Sequence, residues 1–232
     1  MAEETVGSSS SNIEAGFIEE LARLITVRIF TPNASGSGIL VKQQETTYTI
    51  LTNWHVLANS PQTTITAPDG QKYQLFVSQQ LGSTDLAIAQ FDSKTTYQIA
   101  KPTTKTISVG ETVFAAGFPM YQGQNWQTTF SQGLQVFQLT QGVVSLILPK
   151  SLPQGYRLGY TNDILVGMSG GPIFNQQGEL IGVNGRIKNR DPSFGVYVFE
   201  DGTEPSAALL EQMVNSSWGI PIATYLQSVP PD

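Results

Sequence analysis

The chain has 232 residues and a formal charge of −6, from 12 basic and 18 acidic side chains; 13 % of its residues are charged, against about a quarter in an average soluble domain. It contains no Cys, which excludes a disulfide framework, a thiolate zinc site, an iron–sulfur cluster and a cysteine nucleophile, and its single imidazole is His55. No apolar run approaches the roughly 18 residues of a membrane-spanning helix, and no Lys/Arg cluster offers the dense positive charge that nucleic acid requires, so neither a membrane nor a nucleic acid is an expected partner.

Residues 1–11 are polar and Gly/Ser-rich and are expected to form a flexible arm. Their acidic start, Met1-Ala2-Glu3-Glu4, lacks the basic flank and apolar core of a secretory signal, and a cytoplasmic protein is expected. From Asn12 to about residue 25, Ile13, Phe17, Leu21 and Leu24 fall at helical spacing behind a Ser11 or Asn12 cap, which predicts an amphipathic helix lying on the body. Short β-branched and aromatic runs follow at Thr26 to Phe30, Gly38 to Val41, Tyr48 to Leu51, Gln74 to Ser78 and Leu86 to Phe91, with turn signals such as Pro68-Asp69-Gly70 between them. A polar stretch from Asp92 to Gly110 separates them from a second set: Thr112 to Ala116, Gly133 to Leu139, Val143 to Leu148, Gly171 to Phe174, Leu180 to Asn184 and Val196 to Phe199. The pattern predicts an all-β sandwich or barrel in two units, about 26–95 and about 110–204. A closing helix is read at about 206–216, from the Leu209, Leu210 and Met213 stripe behind Pro205-Ser206.

Three local sequences carry chemistry: Leu51-Thr52-Asn53-Trp54-His55-Val56-Leu57, Ser83-Thr84-Asp85-Leu86-Ala87-Ile88 and Gly167-Met168-Ser169-Gly170-Gly171-Pro172. They supply an imidazole, a carboxylate and a hydroxyl. A serine hydroxyl needs a base to take its proton as it attacks a carbonyl, and the base needs a carboxylate to fix its tautomer. Asp85 opens an apolar run, where burial against an imidazole is favoured, while Asp69 and Asp92 read as solvated loop acids. Gly167 and Gly170 permit backbone conformations closed to other residues, so that the N–H groups of Gly167 and Ser169 can converge on a developing oxyanion. No metal site and no organic cofactor are expected.

These segments, in the order His, Asp, Ser, resemble the chymotrypsin/trypsin-like serine endopeptidases. Ser35-Gly36-Ser37-Gly38-Ile39 and Thr52-Asn53-Trp54-His55-Val56 are similar to their bacterial HtrA-type branch, as are the spacings of 30 residues from His55 to Asp85 and 84 from Asp85 to Ser169. The resemblance covers about Thr26 to Leu226 and implies two antiparallel six-stranded β-barrels with the cleft between them. It implies that His55 is the general base, Asp85 its orienting acid, Ser169 the nucleophile, and Gly167 with Ser169 the oxyanion donors. Two readings stay open for Asp163, six residues before Ser169: at the floor of the specificity pocket it would select Arg or Lys, whereas Tyr160-Thr161-Asn162-Asp163 also resembles a bacterial pattern in which the Asp is structural, with Arg186 placed to neutralise it; Val183-Asn184-Gly185 matches the family segment that pairs with substrate backbone.

A PDZ domain usual in that branch is not read after residue 232, and Met168 stands where the animal enzymes carry the Asp that receives a freed amine, so activation by cleavage is not expected. The function read is a serine endopeptidase acting on protein or peptide through an acyl-enzyme. Two rivals stand beside it: a catalytically silent double barrel that binds an extended peptide or protein, and a protease whose 166–169 loop an activating protein partner must reorder.

Overall fold

The computed structural model describes residues 5–32, 34–58, 60, 62–123 and 126–229. The first helix, α1 (Thr5–Ile25), starts seven residues ahead of Asn12, so the part of the expected arm from Thr5 onward is helical, while residues 1–4 lie outside the described residues. Serine costs only about half a kcal/mol per residue against alanine within a helix, and a nucleated helix propagates through such a run. The face it buries is Ile18, Ala22 and Ile25, the i, i+4, i+7 seam. Phe17, expected in the stripe, is 57 % exposed, and Leu24 is exposed beside it. Ala22 lies on the buried face, where the helix packs against the second barrel.

The first barrel begins with β1 (Thr26–Phe30), β2 (Ser35–Gln44) and β3 (Thr47–Thr52), which pair antiparallel in succession. A single helical turn, α2 (Trp54–Leu57), leads to β4 (Thr64–Thr66), β5 (Lys72–Gln74), β6 (Val77–Gln80) and β7 (Ala87–Asp92). The sheet order is β5-β4-β1-β2-β3-β7-β6. Its two edge strands are separated in the chain by only Leu75 and Phe76, so the sheet has to roll until its edges meet. The Phe76 N–H donates to the Gln90 carbonyl of β7 at 3.1 Å, and the Leu75 N–H to the Thr63 carbonyl at 3.0 Å. One strand broken at residues 75 and 76 thus serves both edges, which turns six expected strands into seven segments.

The second barrel is closed. Its strands β8 (Thr112–Gly117), β11 (Gln138–Leu152), β12 (Tyr156–Tyr160), β13 (Pro172–Asn175), β14 (Leu180–Arg186) and β15 (Ser217–Pro221) run in the order β11-β12-β15-β14-β13-β8. Between β8 and β11 lie β9 (Tyr121–Gln122), β10 (Gln127–Thr128) and a 3₁₀ turn over Phe130–Val136. The last strand follows α3 (Ala207–Val214) and precedes α4 (Ile222–Ser228), so this barrel runs past residue 204 to Pro221. α3 starts where Ser206 caps the Leu209 N–H.

Strand alternation sorts the core into three parts. Val27, Ile29, Leu40 and Ile50 point into the first barrel, and Val113, Ala115, Leu158 and Ile173 into the second. Ile39, Leu51, Phe114, Ala116 and Phe174, on the opposite faces, form a shared core with α1. Both strand faces are therefore buried, which explains the near-continuous apolar runs.

Alternation also sends Arg28 outward from β1, where it is fully buried. Its Nη1 donates to the carbonyls of Thr129 at 3.0 Å and Gly133 at 2.6 Å, and its Nη2 to Thr129 Oγ1 at 2.7 Å. No carboxylate pairs with it among the described residues, and burial pulls its pKa below the ordinary value. Arg28→Ala would strand those three acceptors, so it is expected to lower the unfolding free energy by about 3 kcal/mol in urea titration. A loss below about 1 kcal/mol would contradict that accounting.

Candidate active site

His55 sits on α2, directly behind β3, and Asp85 lies two residues before β7, the strand that pairs with β3. Thr52 and Ala87 are partners in that ladder, so strand pairing alone brings the imidazole and the carboxylate together across 30 residues of chain. His55 Nδ1 lies 2.6 Å from Asp85 Oδ2, and the His55 backbone N–H donates to Asp85 Oδ1 at 2.8 Å. The Asp85 carbonyl accepts from Asn53 Nδ2 at 2.9 Å and from the Trp54 N–H at 3.2 Å. The acid is buried, whereas the His55 side chain is 48 % exposed and open to the cleft. Burial raises the Asp85 carboxyl, but the hydrogen bond and charge of His55, with the hydroxyl of Tyr156, outweigh it and hold the group below its ordinary range. The carboxylate is thus ionised throughout the neutral range.

Ser169 precedes β13, at the seam of the barrels. Its hydroxyl donates to the Gly185 carbonyl at 3.2 Å, and no hydrogen bond joins it to His55 among the described residues. Gly185 in turn packs against Tyr156, whose hydroxyl bonds Asp85, so the three expected residues meet around one site. Catalytic hydrogen bonds are often unformed without substrate, and rotation about the serine Cα–Cβ bond is a small motion.

The loop before Ser169 is tightly held. The Val166 carbonyl accepts from the Met120 N–H at 2.7 Å. Carbonyl and N–H point oppositely across a trans peptide, so the Gly167 N–H faces away from Met120. Neither that N–H nor the Ser169 N–H meets an acceptor among the described residues. Gly167 has φ 99°, and a Cβ there would strike the Met120 nitrogen and the Phe118 carbonyl. Ser37 clamps the loop from the first barrel: its N–H donates to the Ser169 carbonyl and its Oγ to the Gly167 carbonyl, each at 2.9 Å.

Asp163 does not line the cleft. Its side chain is 76 % exposed and paired with Lys188 Nζ at 2.6 Å. The loop turns between residues 163 and 169, which leaves that carboxylate at the surface and buries Ile164, while Leu165 and Val166 stay exposed. With Tyr121, Trp126 and Ile187 these residues line an apolar cavity of about 290 Å³ beside the 166–169 loop. Val183 and Asn184 do not face substrate either. Val183 is core, paired with Pro172 and Ile220, while the buried Asn184 side chain donates to the Ala116 carbonyl at 2.9 Å and accepts from Tyr160 at 2.8 Å. The Asn184 N–H and C=O are taken by Gly171 and Gly170. Gly185, at the break in β14 pairing, is the one member of that trio at the site.

Two residues at the site escaped sequence reasoning. Ser37 was legible only as part of a Ser/Gly alternation, and Tyr156 as the start of an ordinary strand, because both act across the seam between barrels.

A double β-barrel with imidazole, carboxylate and hydroxyl at its seam has the architecture of a trypsin-like peptidase. Residues 36–183 match the family model described as "Trypsin-like peptidase domain", and the chain belongs to that family. It is 26 % identical over 175 residues to the Serine protease Do-like HtrA of Bacillus subtilis, covering 72 % of this chain and 36 % of that protein. It is 28 % identical over 162 residues to a Probable periplasmic serine endoprotease DegP-like of Halomonas elongata, covering 68 % of this chain and 31 % of that one. The chain thus spans about a third of the length of these relatives. In fold it resembles the crystal structure of the serine endoprotease from Yersinia pestis, with TM-score 0.63 and 21 % identity over 92 % of this chain and 64 % of that one. The periplasmic naming of relatives corrects the cytoplasmic expectation, which had rested on the acidic start Met1-Ala2-Glu3-Glu4 and its lack of a signal-like apolar core.

Proposed function

We propose that this chain is a serine endopeptidase that hydrolyses peptide bonds through an acyl-enzyme. The observation that carries the reading is the 2.6 Å pairing of His55 Nδ1 with a buried carboxylate, beside a serine whose loop presents free N–H groups. Ser169 Oγ attacks the substrate carbonyl carbon as its proton passes to His55 Nε2. Asp85 holds the Nδ1–H tautomer and stabilises the imidazolium. The carbonyl oxygen, now an oxyanion, accepts from the Gly167 and Ser169 N–H groups. The C–N bond breaks as His55 returns the proton to the leaving amine, and a water then repeats the attack on the ester, giving its proton to His55 and freeing the acid and Ser169.

The apolar cavity lined by Ile164, Leu165, Val166 and Ile187 is the substrate pocket in this reading, and it selects an apolar residue at the cleaved bond in place of the Arg or Lys first expected. By likeness to the relatives so named, the protein works in the periplasm. The bonds from Met120 and Ser37 to the 166–169 loop support competence at rest, with no activating partner required.

Digestion of a mixed peptide library tests this. Cleavage after Val, Leu or Ile is expected, absent in His55→Ala and with unchanged preference in Asp163→Asn. Cleavage after Lys or Arg that Asp163→Asn removes would overturn the pocket assignment, and cleavage surviving in His55→Ala would overturn the mechanism.

A further inference from the structure

We propose that Tyr156 is a positioning residue of this active site: from the second barrel, its hydroxyl holds the Asp85 carboxylate of the first and sets how strongly that carboxylate draws the His55 proton. The proposal rests on the protease reading only for its consequence in catalysis; the contact itself is independent of it.

Tyr156 is fully buried at the start of β12, and its hydroxyl donates to Asp85 Oδ2 at 2.5 Å. That is the same oxygen that faces His55 Nδ1, while Oδ1 is occupied by the His55 backbone N–H. The two donors on Oδ2 therefore compete for its electron density. Tyr156 is held in place by its surroundings: a Cβ at Gly185 would collide with the hydroxyl, so glycine at that position is what admits it. Arg186 stacks on the ring with its Cζ 4.1 Å from the centroid, and its Nη2 donates to the Pro153 carbonyl at 2.9 Å. The turn just before Tyr156 supplies a second tie, the Asp85 N–H donating to the Gln154 carbonyl at 2.9 Å. The acid of the first barrel is thus fixed by a strap from the second.

The charged and titratable groups around this pair are few. His55 faces Asp85 from α2, Tyr156 from β12 and Arg186 from β14; Arg190 acts on Arg186, and Tyr160 lies further along β12. Burial first, and then the charge of Asp85, push the Tyr156 phenol well above its ordinary value, so it is a donor across the working pH range.

Removing the donor leaves Oδ2 to His55 alone. The carboxylate then stabilises the imidazolium more, and the His55 titration midpoint should rise. Because His55 is the only histidine in the chain, ¹⁵N-histidine labelling and NMR read it directly, without turnover. Tyr156→Phe is expected to raise the midpoint by about half a pH unit or more over wild type. Tyr160→Phe, a buried tyrosine that bonds Asn184 and not Asp85, should leave it in place. In kinetics, Tyr156→Phe should carry the acid limb of kcat/KM to higher pH by the same amount, which a merely structural loss would not do.

A midpoint in Tyr156→Phe that coincides with wild type, or an equal shift in Tyr160→Phe, overturns the proposal. Should Tyr156→Phe fail to fold, global replacement of tyrosine by the more acidic 3-fluorotyrosine keeps the donor and strengthens it; a downward shift supports the proposal and no shift overturns it. If the protein proves not to be a protease, the failure appears as absence of turnover, while the NMR shift still reads the Tyr156–Asp85 coupling.

Discussion

Ser169→Ala is expected to lower kcat for peptide hydrolysis by several powers of ten, up to about 10⁶, with an unchanged unfolding midpoint. In the proposed mechanism the side chain is needed for chemistry and hardly for packing. Among the described residues its hydroxyl makes one hydrogen bond, the 3.2 Å contact to the Gly185 carbonyl, and the loop around it is held through backbone, by Ser37 and by Gly170 bonding the Asn184 carbonyl. Removing one oxygen therefore leaves the oxyanion donors in position. Residual hydrolysis over water from those donors is expected, about 10³-fold, because binding and the oxyanion site act without the nucleophile. Steady-state kinetics paired with thermal unfolding checks both parts; a variant that keeps a tenth of the wild-type kcat would contradict the assignment of the nucleophile.

Gly167→Ala should be the second largest loss. At φ 99°, with the Met120 nitrogen and Phe118 carbonyl in the way of a Cβ, an alanine cannot be accommodated without moving the peptide that carries the donor. The Val166 carbonyl would leave Met120, and the Gly167 N–H would turn from the cleft. Loss of one oxyanion donor costs about 3 kcal/mol of transition-state stabilisation, a fall in kcat of a hundredfold or more. KM should change little, since the interaction strengthens only as charge develops on the oxygen. A fall in kcat under about threefold would mean that the Gly167 N–H is not a donor to the reaction.

What the sequence disclosed of this site follows from distance along the chain. His55, Asp85 and Ser169 each sit in a local pattern, an imidazole behind a strand, an acid opening a strand, a serine among glycines, and each pattern is readable in about six residues. The same holds for the all-β class, because turn signals recur between short β-branched runs. Tyr156 lies 71 residues from Asp85, Ser37 130 from Gly167 and Arg28 101 from Thr129, so each acts on a partner that only the docking of the two barrels supplies. Nothing local marks them.

The misreadings share that cause. Counting six residues back from Ser169 found Asp163 but not the turn that points its carboxylate at Lys188. Spacing in α1 identified an amphipathic helix, yet a stripe chosen for bulk overlooked Ala22, and the buried face came out rotated. The break between β5 and β6 is a property of closure, because Leu75 and Phe76 have to carry one strand from one sheet edge to the other. Position in a motif is encoded locally, whereas direction of a side chain is set by the element it packs on.

The claim that His55 activates Ser169 in the resting protein is tested most directly by reacting the purified chain with a fluorophosphonate and weighing the intact product, with Ser169→Ala as control. A single adduct is expected on wild type, formed without any added partner, and none on the variant. No adduct on wild type, or an adduct that persists in Ser169→Ala, would contradict it.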